Sequence, residues 1–502
     1  MISIAGDRTK RIFLTGGNIN NFHIPVTHLR DLLPPDCFGA ANKKNGAGKP
    51  VRMHLDGLNR TIETDVGRDA KTGRPRGHFR ERGWVRKFFQ HYGAKAGDVL
   101  EVESLGKREY RLRIINTTDD EAPKSRLPLR VAEFFAGIGL VRLALEKHGF
   151  KTVFANDIDP DKFAIYKDNF PPDGFHPGDI RDLNPDDIPD CELATASFPC
   201  TDLSIAGEMN GIHSGESSAF WGLVKLLKEM GDRRPRMVLL ENVPGFLMSR
   251  NGKDFESALS ALNGLGYACD AFFVDASCFV PQSRLRLFVV GKLGVPGQSP
   301  FGLDTTKLRP ATLTDFIFAH PHIQWDVRPL PNPPQRETTL KDIREDLPDD
   351  HPAWWSKERA NYCFNQFSDR HLAVARKMIA QRSYSYGTIF RRVRKGRSMA
   401  ELRTDGLAGC LRTPRGGSGR QILFKAGKGR YQVRLLTARE CARLQGVPDT
   451  YKINVPLNQA LFGFGDAVCV LVIEWIAEHY LLPLAYEMQA NMDPISILLA
   501  KR

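Results

Sequence analysis

The sequence predicts an α/β fold built on a mostly parallel sheet, and three observations predict it. Strand-like apolar runs alternate with helical patterns from Arg130 to about Gly291. The first strand, turn, helix and strand close within about 30 residues, the length of a βαβ unit, which implies a parallel pairing. Chemically distinctive residues stand directly after successive apolar runs, at the sheet edge where open α/β folds keep their sites.

At roughly 100–200 residues per domain, a chain of 502 residues divides into about two to four domains. The apolar fraction of 42% is ordinary for a globular protein. The formal net charge of +13 and a pI near 9.3 favour a polyanionic partner, nucleic acid first and an acidic membrane second, over charge that serves only solubility. The nine cysteines are scattered without a C-x-x-C pair, which argues against a disulfide framework or structural zinc and for a reducing cytoplasm. No apolar leader is apparent in the first residues. No uninterrupted apolar run reaches the roughly 18 residues that span a bilayer, so no membrane partner is expected.

Residues 1–115 form a separate, mainly β module. Ile12–Leu14, Val51–Leu55, Thr61–Thr64, Val99–Val102 and Tyr110–Ile114 are short strand candidates, with one helix around Trp84–Tyr92 stopped by Gly93. Short strands joined by Gly- and Pro-bearing turns predict a small barrel. Its basic cluster (Arg68, Lys71, Arg74, Arg76, Arg80, Arg82, Arg86 and Lys87) is either solvated charge or a phosphate grip. Residues 116–129 are a polar linker.

Residues 130–295 carry the α/β core. Val131–Phe135 is a strand, Gly137-Ile138-Gly139 turns the chain, Leu140–His148 is a helix, and Val153–Ala155 is the next strand: a Rossmann-like unit. Residues 296–432 break the rhythm with Pro310, Pro329, Pro331, Pro333 and Pro334, gather basic residues at Arg391, Arg392, Arg394, Lys395 and Arg397, and end in the glycine-rich basic segment Leu411–Arg420. Residues 433–485 return to a helical pattern, with a capping-box pair at Thr437 and Glu440 and a final apolar helix over about Ala467–His479. Residues 486–502 are a tail.

In the first unit, Phe135-Ala136-Gly137-Ile138-Gly139 puts glycines where backbone must approach a ligand at a helix start. The spacing is not the dinucleotide G-x-G-x-x-G. Asp157 ends the second strand, where a carboxylate can accept ribose hydroxyls. Asp179 follows near a third strand end and suits an exocyclic amine. Each acid taken alone reads as a helix cap or surface charge; their joint placement after successive strands favours a nucleotide-like ligand. Cys200 follows the run Leu193–Ala196 in Ser197-Phe198-Pro199-Cys200-Thr201-Asp202, and its polar company argues for a loop thiol over a buried one. Glu241 ends the run Met237–Leu240. A thiolate with a nearby acid is a minimal kit for covalent attack on an electron-poor ring. Arg284 and Arg286 alternate along a strand and face one side. They either orient Glu241 or bind a phosphate and a base carbonyl.

Together these segments resemble the DNA (cytosine-5) methyltransferase family over roughly residues 130–295 and 433–480. The motifs occur in the family's order: Phe-Ala-Gly-Ile-Gly, Phe-Pro-Cys, Glu-Asn-Val, Gln-x-Arg-x-Arg, then Leu435–Asp449 and Gly465-Asp466-Ala467-Val468. The resemblance implies a Rossmann-like catalytic core with a target-recognition domain inserted at 296–432. It implies S-adenosyl-L-methionine as cofactor, double-stranded DNA as partner, a monomer on DNA, and a bacterial, nucleoid-associated enzyme of a restriction-modification or related defence system. A cognate endonuclease is then a functional associate that need not bind it. Cys200 would attack carbon 6 of a flipped cytosine, Glu241 would hold N3, Arg286 would contact O2, and Arg284 would hold the cysteine loop or the target phosphate. Phe135, Ala136, Gly137, Gly139, Asp157, Ile158, Asp179, Ile180, Pro199 and Asp466 would line the cofactor site. Arg412, Arg415, Gly416, Gly417 and Arg420 would contact DNA.

Three positions depart from the pattern: Asp157 stands for a glutamate, Ile158 for an aromatic and Asp466 for an asparagine. The N-terminal module more loosely resembles the DNA-binding pseudobarrel of plant transcription factors and of the effector-binding region of some restriction enzymes; a protein-interaction barrel is the other reading. Rival functions are a tRNA cytosine-5 methyltransferase, a non-catalytic DNA-binding regulator and a plain Rossmann oxidoreductase. The length of the variable region argues against the first. The intact Cys200, Glu241 and Arg286 argue against the second, and the glycine spacing against the third.

Overall fold

The computed structural model describes residues 9–115 except 15–17, 20–21, 25, 30–31, 43–44, 59, 71–74, 77, 82 and 96–97; residues 129–199; and residues 218–490 except 298–299, 301–302, 395 and 414–418. The chain divides into two compact units, Met1–Leu127 and Pro128–Arg502.

In the first unit the strands are β1 (Thr9–Phe13), β2 (Val51–Leu55), β3 (Arg60–Thr64), β4 (Val99–Gly106) and β5 (Glu109–Ile115), with helix α1 (Gly83–Tyr92) between β3 and β4. They form one sheet in the order β1-β4-β5-β2-β3, in which only β2 and β5 pair in parallel. The expected mainly-β module is present as a five-stranded sheet, with β1 and β3 outermost among the described strands. Strict alternation explains β5: Tyr110, Leu112 and Ile114 are buried, while Arg111 and Arg113 turn outward and pair with Glu103 and Glu101 across β4. Helix α1 packs Trp84, Val85, Phe88 and Phe89 into the same core and stops where Gly93 takes φ +57°.

The second unit holds a seven-stranded sheet. Its elements are β6 (Leu129–Phe134), α2 (Leu140–Glu146), β7 (Phe150–Asp157), α3 (Pro160–Asn169), β8 (Phe175–Pro177), β9 (Leu193–Ala196), α4 (Ala219–Glu229), β10 (Met237–Asn242), α5 (Lys253–Gly264), β11 (Tyr267–Asp275) and β12 (Leu285–Leu293). The order is β11-β12-β10-β9-β6-β7-β8, parallel throughout except that β12 runs against β10 and β11. The central strands are apolar without alternation because both faces are covered. Met237 and Leu239 of β10 face the layer of α2 and α3, and Val238 and Leu240 face that of α4 and α5.

The irregular region is more ordered than its sequence predicts. It holds α6 (Ala311–Ala319), α7 (Lys357–Phe364), α8 (Asp369–Ile379) and an antiparallel sheet of β13 (Ser385–Arg394), β14 (Arg397–Arg403), β15 (Ile422–Gly427) and β16 (Arg430–Leu435), ordered β14-β13-β15-β16 around its own small core.

The chain then returns to the large sheet through α9 (Ala438–Leu444), α10 (Leu457–Asp466), α11 (Val470–Ile476) and α12 (Leu482–Ala490). The final helix therefore starts at Val470, three residues after the Ala467 that the apolar pattern predicts, and runs past His479 through a π-helical turn (Ala477–Leu481) into α12. Ala467 and Cys469 are extended, because the carbonyls of Gly465 and Ala467 bond to side chains of other segments instead of continuing the helix. The stretch Leu457–Gln489 is apolar enough to cross a membrane by length and composition, but 72% of its most apolar window is buried within the protein, as a core element would be.

Where the inserted region rejoins the core, Arg434 of β16 and Glu440 of α9 form a bidentate ion pair at 2.6 Å, both side chains fully buried. The same carboxylate accepts the amides of Thr437 (2.9 Å) and Glu345 (2.8 Å), so the capping box anticipated at Thr437 and Glu440 also serves as the junction. Replacing Glu440 by alanine strands the guanidinium without its partner. It should lower stability by about 3–5 kcal/mol, read as a drop in the urea midpoint of the full chain.

Candidate active site

Parallel register brings the sequence-predicted residues to one edge of the sheet. Phe134 of β6 and Leu240 of β10 both pair with Ala196 of β9, and Phe134 pairs with Asn156 of β7. The chain therefore leaves the sheet side by side at Phe135, Asp157, Ser197 and Glu241.

The loop after β6 turns through three left-handed residues, Phe135 (φ +55°), Gly137 (+56°) and Gly139 (+80°). The two glycines are required for different reasons. A Cβ on Gly139 would lie 2.5 Å from the Phe170 ring, so the position serves close packing. A Cβ on Gly137 would meet nothing nearer than Lys162 Cδ and Phe135 O at 3.9 Å, so the backbone there borders open space. Asp157 pins this turn: its Oδ2 accepts the Gly137 amide at 2.8 Å and its Oδ1 accepts the Asp159 amide at 2.9 Å. Burial pushes the Asp157 carboxyl up, against the pull of the Lys162 ammonium. Ile158, 66% exposed, stands beside it as an apolar face at the strand end. An open glycine cradle, a strand-end carboxylate with further lone pairs and an exposed apolar side chain fit the ribose and adenine of a nucleoside cofactor.

The other expected cofactor residues separate. Ala136 and Ile180 are packed in the core. Asp179 caps a short helical turn and pairs with Arg181, whose guanidinium holds its carboxyl below the usual range. Pro199 is the last described residue of its loop. Asp466 closes α10 and forms an ion pair with Lys162 of α3 at 2.9 Å. Sequence reasoning missed Lys162, since only the fold brings α3 and α10 together.

Glu241 is buried at the end of β10, and Arg286 Nε lies 2.9 Å from its Oε1. The two face a recess whose apolar wall includes Val274, Phe288, Val468 and Val472. The next residue, Asn242, donates to the Phe198 carbonyl at 3.3 Å, and Phe198 is wedged against Phe220 and Phe246. The strand that carries Glu241 is thereby tied to the start of the Pro199-Cys200 loop. Cys200 itself, like Arg415, Gly416 and Gly417, lies outside the described residues.

The two arginines share a face, as the alternation predicts, but take different partners. Arg284 precedes β12 and is 2% exposed. It donates to the carbonyls of Leu411 (2.9 Å), Gly465 (3.3 Å) and Ala467 (2.7 Å). A phosphate role for Arg284 is corrected accordingly: its terminal nitrogens hold backbone from two later segments. Burial, then the charge of Arg286, pulls its pKa down. Arg412 is exposed and Arg420 half-buried, flanking the undescribed part of the glycine-rich segment.

Cys410 was not anticipated either. Its sulfur lies 3.4 Å from Arg284 Nη1 and 3.8 Å from Arg286 Nη2. Burial raises its pKa, but Arg284, Arg286 and Arg412 outweigh this and bring the thiol down to about 7.

Residues 129–481 match the family model for the C-5 cytosine-specific DNA methylase. The Type II methyltransferase M.HhaI of Haemophilus parahaemolyticus is 29% identical over 361 residues, covering 70% of this chain and 93% of that protein. M.HaeII of Haemophilus aegyptius is 30% identical over 352 residues, covering 69% and 91%. A crystal structure of the S. pombe Dnmt2 methyltransferase aligns with 72% of this chain and 100% of its own at 21% identity and a TM-score of 0.47.

Beneath the glycine loop, Glu133 of β6 is 1% exposed, and burial pushes its carboxyl up to about 8 against the pull of Arg142. A carboxyl raised on folding makes the folded state hold its proton longer. The stability associated with the neutral form is complete below the unfolded value and is lost as pH rises towards about 8. Glu133→Gln, which stays neutral, should lose less stability than the native chain between pH 5 and 8, at up to about 1.4 kcal/mol per pH unit. Parallel pH curves of the two melting temperatures would contradict this.

Proposed function

Because the chain belongs to the C-5 cytosine-specific DNA methylases, we propose that it methylates carbon 5 of a flipped cytosine through a covalent adduct on Cys200. S-adenosylmethionine supplies an electrophilic methyl group. Carbon 5 of cytosine is a poor nucleophile until a thiolate adds to carbon 6. In this reading the Cys200 thiolate forms that bond, and Glu241 hydrogen-bonds N3 so that charge does not build up on the ring. Carbon 5 takes the methyl group, loses its proton, and the sulfur leaves by elimination. The base reaches the pocket by leaving the duplex stack.

The observation that carries this reading is the pairing of Glu241 with Arg286 at 2.9 Å, in a strand end tied to the Phe198 carbonyl two residues before Cys200. Arg286 pairs with that carboxyl at the wall of the recess, where a planar guanidinium suits a base carbonyl. The similarity to type II methyltransferases supports a place in a restriction-modification system. The inserted region, with its four-stranded sheet and basic segment, is the proposed reader of the target sequence. Residues 1–127 carry 24 Lys and Arg against 15 Asp and Glu, which supports a second, sequence-independent grip on DNA.

Cys200→Ala should abolish methyl transfer while duplex binding survives. A 5-fluorocytosine duplex carrying the target site should trap the native protein covalently in the presence of the cofactor, because fluorine cannot leave as a proton does. Turnover by Cys200→Ala would sink the covalent mechanism. Deletion of residues 1–115 should weaken DNA binding and flatten its salt dependence; an unchanged salt slope would point to a protein partner for the first unit.

A further inference from the structure

Lys162 and Asp466 are each placed against the rule of their own helix. Asp159 caps α3, accepting the amides of Asp161 and Lys162, so Lys162 is the third residue of that helix. A cation there faces the positive end of the helix dipole. Asp466 is the last residue of α10, where an anion faces the negative end. Lys162 is also largely withdrawn from water, its side chain only 18% exposed, against 43% for Asp466. Such local violations mark sites where function outweighs local preference. The two charges answer each other across the helix ends at 2.9 Å. Asp157, already fixed to the glycine loop, adds a second anion near the ammonium.

The ion pair borders the open space beside Gly137, whose missing side chain would have Lys162 Cδ as a nearest neighbour. A side-by-side ammonium and carboxylate at the mouth of a nucleoside cradle matches one chemical class, the zwitterionic α-amino acid end of the cofactor. We propose that Lys162 and Asp466 form a two-point clamp for that end, Lys162 taking the α-carboxylate and Asp466 the α-ammonium. Asp157 is left to the ribose. The asparagine to aspartate departure and the unanticipated lysine are then one compensated change. A neutral amide at 466 would leave Lys162 without its counter-ion, and Asp466 without Lys162 would place an uncompensated anion beside Asp157. This inference rests on the β6–β7 edge being the cofactor site.

The test is calorimetric binding to the full chain, without DNA, of S-adenosylmethionine, S-adenosylhomocysteine and 5′-methylthioadenosine, which lacks the amino acid end. Lys162→Met should weaken the first two roughly 10- to 100-fold, as loss of a charge-assisted contact does, and change methylthioadenosine by less than about twofold. Lys162→Arg should retain most of the affinity. Equal weakening of all three ligands would mean damage to the loop and overturn the clamp. So would recovery of native affinity in the Lys162→Met, Asp466→Asn double variant, since Lys162 would then be only a partner for Asp466. If Asp157→Ala leaves methylthioadenosine binding unchanged, it is the location of the cofactor site that fails, whatever Lys162 does.

Discussion

The second unit depends on one buried guanidinium. Its core is made from two stretches of chain separated by the inserted region, and Arg284 holds them together by donating to Leu411, Gly465 and Ala467. Gln282, two residues earlier and also buried, does the same in the other direction: its amide nitrogen donates to the Leu444 carbonyl at 2.7 Å and its oxygen accepts the Leu411 amide at 2.9 Å. A charge withdrawn from water is costly unless its donors find acceptors, and backbone carbonyls, two of them at a broken helix, supply them to both terminal nitrogens of Arg284. The interruption between α10 and α11 and the burial of Arg284 are therefore a single arrangement.

Much of the site's geometry descends from that arrangement. With Arg284 committed to backbone, Arg286 is the arginine of the motif that reaches Glu241. The turn that Arg284 holds places Asp466 at the mouth of the glycine loop, opposite Lys162. The same guanidinium brings Cys410 beside Arg286 and so into a cationic pocket that favours its thiolate. At the other end of the insertion, the Arg434–Glu440 pair closes the remaining junction. Both seams between the inserted region and the core are thus held by the terminal nitrogens of buried arginines.

What was legible in the sequence was local. β9 and β10 appear as unbroken apolar runs because parallel strands are covered on both faces. The Phe135–Gly139 turn, the strand-end Asp157 and Glu241, the Gly93 stop and the Thr437–Glu440 capping box are each set by residues within a few positions of one another. The inserted region was not legible: α7 and α8 are short and largely polar, and the prolines before them break any period. The final helix was legible over Val470–His479 but its start was not, since the apolar pattern continues across Ala467–Cys469 while the helical hydrogen bonds do not.

The sequence by itself determined the sheet, the order of its strands' functional ends and the family's chemistry. These follow from hydrophobic period, turn residues and motif spacing. The tertiary structure alone decided how the paired arginines divide their work and that Lys162 and Asp466 meet. Period-two alternation gives Arg284 and Arg286 their shared face, but each side chain's partner is chosen by whichever acceptors the fold brings within about 3 Å. For Arg284 those acceptors lie 127 to 183 positions away along the chain.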